Sequence, residues 1–326
     1  MRSTVIKFFA QNQILTALLV IGIGWLIFSI KEVLIALFVS YILMAAISPY
    51  VDFLRKNKVP KPIAVIVPYV LAIGALSLVV VTLLPFFISQ VQLLLSRLTI
   101  YINQDLNFFG VKIDPTQINS FAASEIENIG KNAIALTTKV FGGVVSAVSI
   151  FAVSFYLLLY KQIVTRNFVS LFPKNRQEKI NKTIMQIEEK LGNWLRGQIV
   201  LSGAVGITTW VVLTVLGVDF ALPLAVIAGI FEIIPTIGPI LSAVPAIIVA
   251  LNISPILAGV VAISYFLIQL LENNILVPRI MQRAVGLNPI VIIIGIIVGS
   301  KLLGVAGALL AIPFIVFLVV IYRNLE

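Results

Sequence analysis

Hydrophobic residues form long, uninterrupted runs along this chain of 326 residues. The first four runs extend over Ile14–Ile30, Val33–Ile47, Ile63–Ile88 and Val140–Tyr160. A helix needs roughly 17–25 apolar residues to cross a bilayer, and a lipid-facing β-barrel would instead alternate apolar and polar residues. The runs are continuous, so the pattern predicts an all-α, multi-pass protein made of membrane-spanning helices.

The composition agrees with a chain that is surrounded by lipid rather than by water. Hydrophobic residues make up 60% of the sequence and charged residues only 11%, whereas a soluble domain carries about 25% charged residues. The absence of cysteine, histidine and a phosphate-binding loop motif excludes disulfides, histidine-based catalysis and P-loop nucleotide hydrolysis. We therefore predict no enzyme activity, no catalytic residues, no metal and no cofactor.

Basic residues predict the orientation of the spans. The net charge is +10, and lysine and arginine lie mostly in alternate connecting segments. These basic positions are Arg2 and Lys7 before the first span, Arg55, Lys56, Lys58 and Lys61 after the second, and Lys161, Arg166, Lys174, Arg176, Lys179, Lys182, Lys190 and Arg196 after the fourth. Positive charge in short loops marks the cytoplasmic side. We expect a bacterial inner-membrane protein with cytoplasmic N- and C-termini, whose charge faces anionic lipid headgroups rather than nucleic acid.

Two segments outside the spans show helical periodicity. Residues 89–138 carry balanced charge and one apolar face, which predicts an amphipathic segment on the outer side of a scaffold formed by residues 1–160. Residues 161–198 form a basic region that is predicted to lie in the cytoplasm. Its apolar positions at helical spacing are Ile180, Ile184, Ile187, Leu191 and Trp194. The spacing favours a helix that lies on the membrane or on a neighbouring helix, with a partner-binding helix as the alternative.

The C-terminal third, residues 199–326, contains apolar runs that are interrupted. Pro223–Leu251 as a single helix would be ~43 Å long, against a hydrocarbon core of ~30 Å. Pro235, Gly238 and Pro239 lie in its middle, and a proline removes a helix hydrogen bond and clashes with the preceding turn. Two half-helices, each too short to cross, fit this pattern better. The sequence therefore predicts a re-entrant helical hairpin over residues 222–251.

A second interrupted run, Pro289–Leu318, repeats this arrangement after another full span. The residues that coincide after a shift of 66 positions are Pro223 with Pro289, Gly229 with Gly295, and Gly238 with Gly304. If both runs are hairpins, Arg279 and Arg283 lie on the cytoplasmic side, as the charge rule prefers. The prediction is a transport core of two inverted repeats, each with one transmembrane helix and one re-entrant hairpin, the second hairpin over residues 287–321.

Charged and amide side chains within these runs are the candidate site residues. A charge in the membrane costs about 2.5–3.5 kcal/mol on insertion scales, and broken helices add free main-chain groups at the same depth. The predicted substrate-binding residues are Glu232, Pro235, Thr236, Gly238, Pro239, Asn273, Asn274 and Lys301. Glu232 and Glu272 are the candidates for coupling to a proton or cation. A structural ion pair between Glu232 and Lys301, or placement of these side chains at the membrane surface, is the alternative.

Several strings in this region resemble a known family. They are LGNWLRGQIV at Leu191–Val200, FEIIPTIGPILSAVPAIIVAL at Phe231–Leu251, ENNILVPRIMQRAVGLNP at Glu272–Pro289 and LLGVAGALLAIP at Leu302–Pro313. Together they resemble the autoinducer-2 exporter family of transporters, also called the PerM-like permease family. The resemblance implies a multi-pass membrane protein that exports the quorum-sensing signal autoinducer-2 or another small solute. It also implies sodium(lithium)/proton antiport as an activity of some members.

The sequence leaves three functions open. The first is a secondary or facilitative transporter that exports a small polar solute, possible candidates being molecules similar to autoinducer-2. The second is a sodium(lithium)/proton antiporter, in which Glu232 or Glu272 carries the proton. The third is a membrane scaffold that does not transport and holds partners through its cytoplasmic helix. The expected partners are a small polar solute or a monovalent cation, membrane lipid, and further copies of the chain in a homo-oligomer.

Overall fold

A computed structural model of the chain describes residues 28–78, 133–234, 237–281 and 288–325, with a few further positions between 18 and 26 and at 81. The described residues form helices joined by turns, and no strand occurs among them. In chain order the helices are α1 (Lys31–Lys56), α2 (Lys61–Leu78), α3 (Ala133–Leu159), α4 (Lys161–Ser170), α5 (Lys174–Val215), α6 (Ala221–Phe231), α7 (Ile237–Leu251), α8 (Pro255–Met281) and α9 (Pro289–Leu325). Within α8, Glu272–Leu276 forms a π-helical turn.

Five of these helices are long and apolar enough to cross a membrane: α1, α2, α5, α8 and α9. The end of α3 and the whole of α4 meet at an angle of 74° and together would make a sixth candidate. The prediction of an all-helical, multi-pass membrane protein is therefore confirmed. The predicted first span, Ile14–Ile30, is described only in part. Most of the predicted outer segment 89–138 lies outside the described residues, and its last six residues belong to α3.

The helices α1, α2 and α3 pack through small residues and hydrogen bonds. Ser40 of α1 is fully buried, and its hydroxyl is shared between the carbonyl oxygen of Ala36 in the same helix at 2.7 Å and that of Ile150 in α3 at 3.1 Å. The hydroxyl oxygens of Tyr69 in α2 and Ser154 in α3 are 2.6 Å apart. Lipid provides no hydrophobic driving force for helices to associate, so close packing and such hydrogen bonds hold this bundle together.

The helix α5 is a single rod of 42 residues, about 63 Å long. Its first half carries the apolar stripe that the sequence predicts, and the second half is the predicted fifth span. Ile187, Leu191 and Trp194 of the stripe are buried in one cluster with Ile42 of α1 and Ile312 of α9. The amphipathic helix is therefore continuous with a span, and its apolar face lies on neighbouring helices.

A proline in α1 explains how α5 is attached to it. Pro49 has no N–H, so the carbonyl oxygen of Ala45 lacks its usual helix partner. Arg196 of α5 donates to this oxygen over 3.3 Å and to that of Ala46 over 2.9 Å. Gly192, one turn before, allows the approach, because a Cβ built there would lie 2.5 Å from the oxygen of Ala45. These five residues form the α1–α5 junction.

The helices α6 and α7 form a hairpin that packs on α5 and α8. The backbones of α5 and α6 touch, since a Cβ at Gly229 would lie 2.9 Å from the carbonyl oxygen of Ser202. At the tip of the hairpin, a Cβ at Gly238 would collide with the carbonyl oxygen of Phe231, so the end of α6 and the start of α7 are in contact. The chain thus reverses between the end of α6 and the start of α7, and residues 235 and 236 lie outside the described residues. Gly238 and Pro239, which the sequence places in the break, belong to the first turn of α7.

The helix α9 also folds back on itself. Its backbone leaves the helical region at Gly304, where φ is 62° and ψ is −140°, values that favour glycine. A Cβ at Gly307 would collide with the carbonyl oxygen of Gly299, which shows that the two halves lie against each other. The sequence predicts the break at Lys301, and the structure places it three residues later, at Gly304. Both reversals fall within the intervals predicted for hairpins.

The close approach at the α1–α5 junction predicts a stability effect of one methyl group. We expect Gly192→Ala to lower the free energy of unfolding by about 1–3 kcal/mol, because the added carbon must push apart two backbones. The measurement is the thermal unfolding midpoint of the purified protein in detergent.

The matched control is Gly203→Ala, which lies on the same helix and has no heavy atom within 4 Å of its added carbon. This control should leave the midpoint unchanged or raise it, since alanine is about 0.5–1 kcal/mol better than glycine in a helix. Equal midpoints for the two variants would show that the α1–α5 contact does not limit stability.

Candidate functional site

Glu232 lies at the tip of the α6–α7 hairpin, where α6 ends. Its main-chain N–H donates to the carbonyl oxygen of Ala228 over 3.0 Å, so the residue closes the last turn of α6. Its side chain is 0% exposed. A carboxyl group that is buried in this way is costly unless it is protonated or has a partner of opposite charge. The sequence therefore places a chemically active group at the tip of the hairpin.

The partner of Glu232 is a second buried carboxyl group. Glu272 of α8 is 2% exposed, and its carboxyl group is close enough to that of Glu232 for the two to interact electrostatically. Two ionised carboxylates are both acceptors and repel each other. The contact is therefore favourable only when a proton or a cation lies between the oxygens. We call Glu232 and Glu272 the carboxyl pair.

Two glutamine amides hold the carboxyl pair in place. The Gln198 amide nitrogen of α5 donates to the main-chain oxygen of Glu232 over 2.7 Å, and this oxygen has no helix partner at the end of α6. The Gln269 amide nitrogen of α8 donates to a carboxyl oxygen of Glu272 over 3.2 Å. Neither carboxyl oxygen of Glu232, nor either of the two amide oxygens, accepts a hydrogen bond from a described residue. These oxygens remain able to bind a cation.

Further polar groups extend away from the carboxyl pair. Gln198, Ser202 and Thr209 recur on one face of α5, and Tyr265 and Gln269 recur on one face of α8. Each has a buried oxygen without a hydrogen-bond partner among the described residues. A buried polar group that stays unpaired costs about 1–3 kcal/mol. This set, the polar seam, therefore favours a polar or charged occupant.

The π-helical turn explains how the α8 residues are presented. A π turn inserts one extra residue and is frequent at functional sites. The amide nitrogen of Asn274 donates to the carbonyl oxygen of Leu270 over 2.7 Å, while the side-chain oxygen of Asn273 lies 3.5 Å from the Gln269 amide nitrogen. Both asparagine side chains are exposed. Asn273 thus touches the edge of the site, and Asn274 is held away from it.

Of the other predicted site residues, Gly238 lies beside the main chain of Glu232 at the hairpin tip, whereas Lys301 is not brought to the carboxyl pair. Lys301 is exposed and forms no ion pair with any described residue, so the alternative of a Glu232–Lys301 ion pair is wrong for the described part of the chain. Pro235 and Thr236 lie outside the described residues. Gly238 is buried against α6, and the carbonyl oxygen of Pro239 accepts from Ser242 over 3.0 Å. The α9 hairpin contacts the tip of the α6–α7 hairpin in an apolar cluster, to which the tip contributes Ile234.

Five residues that contribute amide or hydroxyl groups to the site were not predicted from the sequence: Gln198, Ser202, Thr209, Tyr265 and Gln269. Gln269 follows a long apolar stretch, and a polar residue at such a place is a signal that could have found it. Gln198 gave a weaker signal, because Arg196 is only two residues away. Gln269 and Glu272 are also three residues apart, which places them on one face of a helix. Ser202, Thr209 and Tyr265 gave no comparable signal, since such residues occur in many transmembrane helices.

A buried carboxyl pair and a row of unpaired polar groups in a multi-pass helical protein are typical of membrane transporters. The sequence pattern of the AI-2E family transporters matches residues 15–326, so the chain belongs to the AI-2E transporter family. The resemblance that the motifs indicated is thereby confirmed.

The individual relatives that match this chain have low sequence identity to it. YrrI of Bacillus subtilis (strain 168), whose name assigns it to transport, is 27% identical over 308 residues, covering 89% of this chain and 85% of that protein. YueF of the same organism, similarly named, is 26% identical over 302 residues, covering 87% and 82%. The AI-2 transport protein TqsA of Escherichia coli (strain K12) is 33% identical over 131 residues, covering 40% of this chain and 38% of that protein.

The contact at the hairpin tip predicts that the site depends on Gly238. We expect Gly238→Ala to abolish transport, because its added carbon would collide with the carbonyl oxygen of Phe231 and displace Glu232. Transport is measured with the purified variant in proteoliposomes, and correct folding is checked by a monodisperse elution profile.

The matched control is Gly259→Ala on α8, where no heavy atom lies within 4 Å of the added carbon. It should transport like the wild type. A Gly238→Ala variant with full activity would show that the tip tolerates the displacement and that the position of Glu232 is not critical.

Proposed function

We propose that this chain is a secondary transporter in which the carboxyl pair couples proton movement to the transport of a small solute, and that the exchanged solute is a monovalent cation. The observation that carries the proposal is the burial of Glu232 against Glu272. One proton satisfies the pair, and one monovalent cation satisfies it equally well. Because a proton and a cation compete for the same oxygens, binding of one releases the other, which is the requirement for antiport.

The surrounding groups support this choice of solute. The free amide oxygens of Gln198 and Gln269 add neutral ligands to the carboxylate oxygens, and sodium and lithium prefer oxygen ligands of this kind. The chain contains no histidine, so the carboxyl pair is the natural proton carrier at this place. No group of three or more carboxylates that could hold a multivalent metal ion occurs among the described residues.

The arrangement in the membrane is part of the proposal. Helices α6 and α7, with 11 and 15 residues, reach about 16 and 22 Å, less than the ~30 Å of the hydrocarbon core. Together the two helices therefore fit a re-entrant hairpin better than a pair of membrane spans. With basic residues on the cytoplasmic side, both termini are cytoplasmic and the two hairpins enter from opposite faces as inverted repeats. The exposed amides of Asn273 and Asn274 are compatible with a homo-oligomer, in which they would meet another subunit.

The proposal predicts cation-driven proton movement that depends on both carboxyl groups. In proteoliposomes with a trapped pH indicator, a sodium or lithium gradient should drive proton flux through the wild type. Glu232→Gln and Glu272→Gln should each reduce this flux to background, because an amide neither releases a proton nor carries charge.

The control is Glu189→Gln, which removes an exposed carboxylate of α5. It should keep the wild-type flux. Exchange that survives in Glu232→Gln would exclude the carboxyl pair as the coupling site, and a wild type in which neither cation moves protons would exclude cation antiport.

A second candidate is export of a small polar solute similar to autoinducer-2. The hydroxyl and amide groups of the polar seam favour it, since they suit a neutral polyhydroxylated molecule, and TqsA, which matches part of this chain, is named for AI-2 transport.

This candidate predicts that Thr209→Val lowers efflux of autoinducer-2 from loaded proteoliposomes several-fold while sodium-driven proton flux is kept. The substitution removes a hydroxyl and nearly keeps the volume, so packing is not the cause. Efflux equal to that of empty liposomes in the wild type would reject autoinducer-2 as the solute.

A further inference from the structure

A cavity of about 700 Å³ lies far from the carboxyl pair, between the α4–α5 corner and the bundle. Its volume is within the range of roughly 300–1,000 Å³ that is typical of small-molecule sites. Its lining is mostly apolar and comes from five helices. The apolar lining residues include Met44 of α1, Leu157 of α3, Val164 of α4, Ile184 and Ile187 of α5, and Phe317 of α9. The cavity shares no lining residue with the candidate site described above, so the two are separate places in the molecule.

The cavity extends from the membrane helices to a strongly amphipathic corner. Its inner wall is made by α1, α3 and α9, which are apolar. Its mouth is made by Phe168 and Phe172, whose rings meet edge to face at 5.5 Å. Leu171 between them is 78% exposed. Exposed apolar residues beside basic ones are typical of a segment that lies at the boundary between headgroups and acyl chains.

The rim of the cavity is positively charged. Of the charged side chains that line it, Lys161 is paired with Glu188 at 2.6 Å. Arg176 and Lys179 are exposed and form no ion pair with any described residue. The start of α5 adds positive potential, because the helix begins after Pro173 and no side chain caps its free N–H groups. The rim is therefore suited to a negatively charged group.

We propose that this cavity binds one anionic phospholipid, with an acyl chain in the apolar interior and its phosphate beside Arg176 and Lys179. The combination of an apolar cavity with a basic rim selects the occupant. A neutral lipid would leave the two basic groups unpaired, and a soluble phosphate would leave the cavity unused. The depth order also fits a lipid, since the apolar wall belongs to membrane helices and the charges belong to the corner outside them.

A bound lipid at this place would fasten the α4–α5 corner to the bundle. Lys161 at the inner side of the cavity also donates to the hydroxyl of Ser48 in α1 over 3.2 Å. Glu188, its ion-pair partner, is buried on α5, so the ion pair joins α1, α4 and α5. The lipid would cover this ion pair and exclude water from it. The proposed role is structural support of the first part of α5, which precedes the α1–α5 junction.

The test uses the full chain in detergent with added lipid. Phosphatidylglycerol should raise the thermal unfolding midpoint more than phosphatidylcholine does, and native mass spectrometry should show one tightly retained phosphatidylglycerol per chain. The double variant Arg176→Gln/Lys179→Gln should bind it about 30-fold more weakly, since each basic residue at an anionic surface contributes about a factor of 5.

A charge-matched control removes two positive charges from the same corner but outside the cavity. Arg166→Gln/Lys174→Gln should keep the affinity for phosphatidylglycerol, because neither residue lines the cavity. A second variant, Val164→Trp, should reduce binding by filling the interior while the rim stays intact. Both variants must elute as monodisperse protein.

Several results would overturn the proposal. Equal stabilisation by phosphatidylglycerol and phosphatidylcholine would show that charge does not select the occupant. Equal loss of binding in the control and the test variant would show a general surface attraction. Stabilisation by glycerol 1-phosphate as large as that by the lipid would show that the headgroup alone binds and the cavity does not.

Discussion

Main-chain groups in lipid have no water to bond, and this constraint governs how the chain is assembled. At one proline and at one helix end, where a carbonyl oxygen is left without its helix partner, a side chain of α5 supplies the missing donor. Arg196 bonds the oxygen of Ala45, which Pro49 leaves free, and Gln198 bonds the oxygen of Glu232 at the tip of the hairpin. The rest of the structure depends on these two bonds, because they fix one helix to both the N-terminal bundle and the candidate site.

Close backbone approach is the second means of assembly, and it explains the position of the carboxyl pair. Small residues let α5 meet α1 at Gly192 and let it meet α6 at Gly229. The same holds inside α9, where Gly299 lies against Gly307. At the tip, Gly238 touches the end of α6 and so fixes the main chain beside Glu232. Neither Glu232 nor Glu272 forms an ion pair with a lysine or arginine among the described residues.

The sequence predicts those features that depend on local chemistry. Apolar runs indicate the helices, and the prolines and glycines near 235 and 304 indicate both reversals, because each acts within a few residues. The sequence does not predict the partner of Glu232. Opposite charge suggested Lys301, whereas the fold brings up Glu272, and no local pattern encodes a contact across 40 positions. Gln198 was missed for the same reason: its bond is to a main-chain oxygen, which every residue has.

The spacing of Arg196 and Gln198 has a mechanical consequence. The two residues are about 3 Å apart along a continuous helix. This short, rigid stretch of α5 therefore holds α1 through Arg196 and the hairpin tip through Gln198. The hairpin tip is unable to slide past α1 while both bonds persist. If the proposed transport cycle exposes the carboxyl pair by moving the tip, that motion must either break one of these hydrogen bonds or move α5 with it. The first route has an energetic threshold of about 0.5–3 kcal/mol, the worth of one such bond, which is a barrier that thermal motion crosses readily.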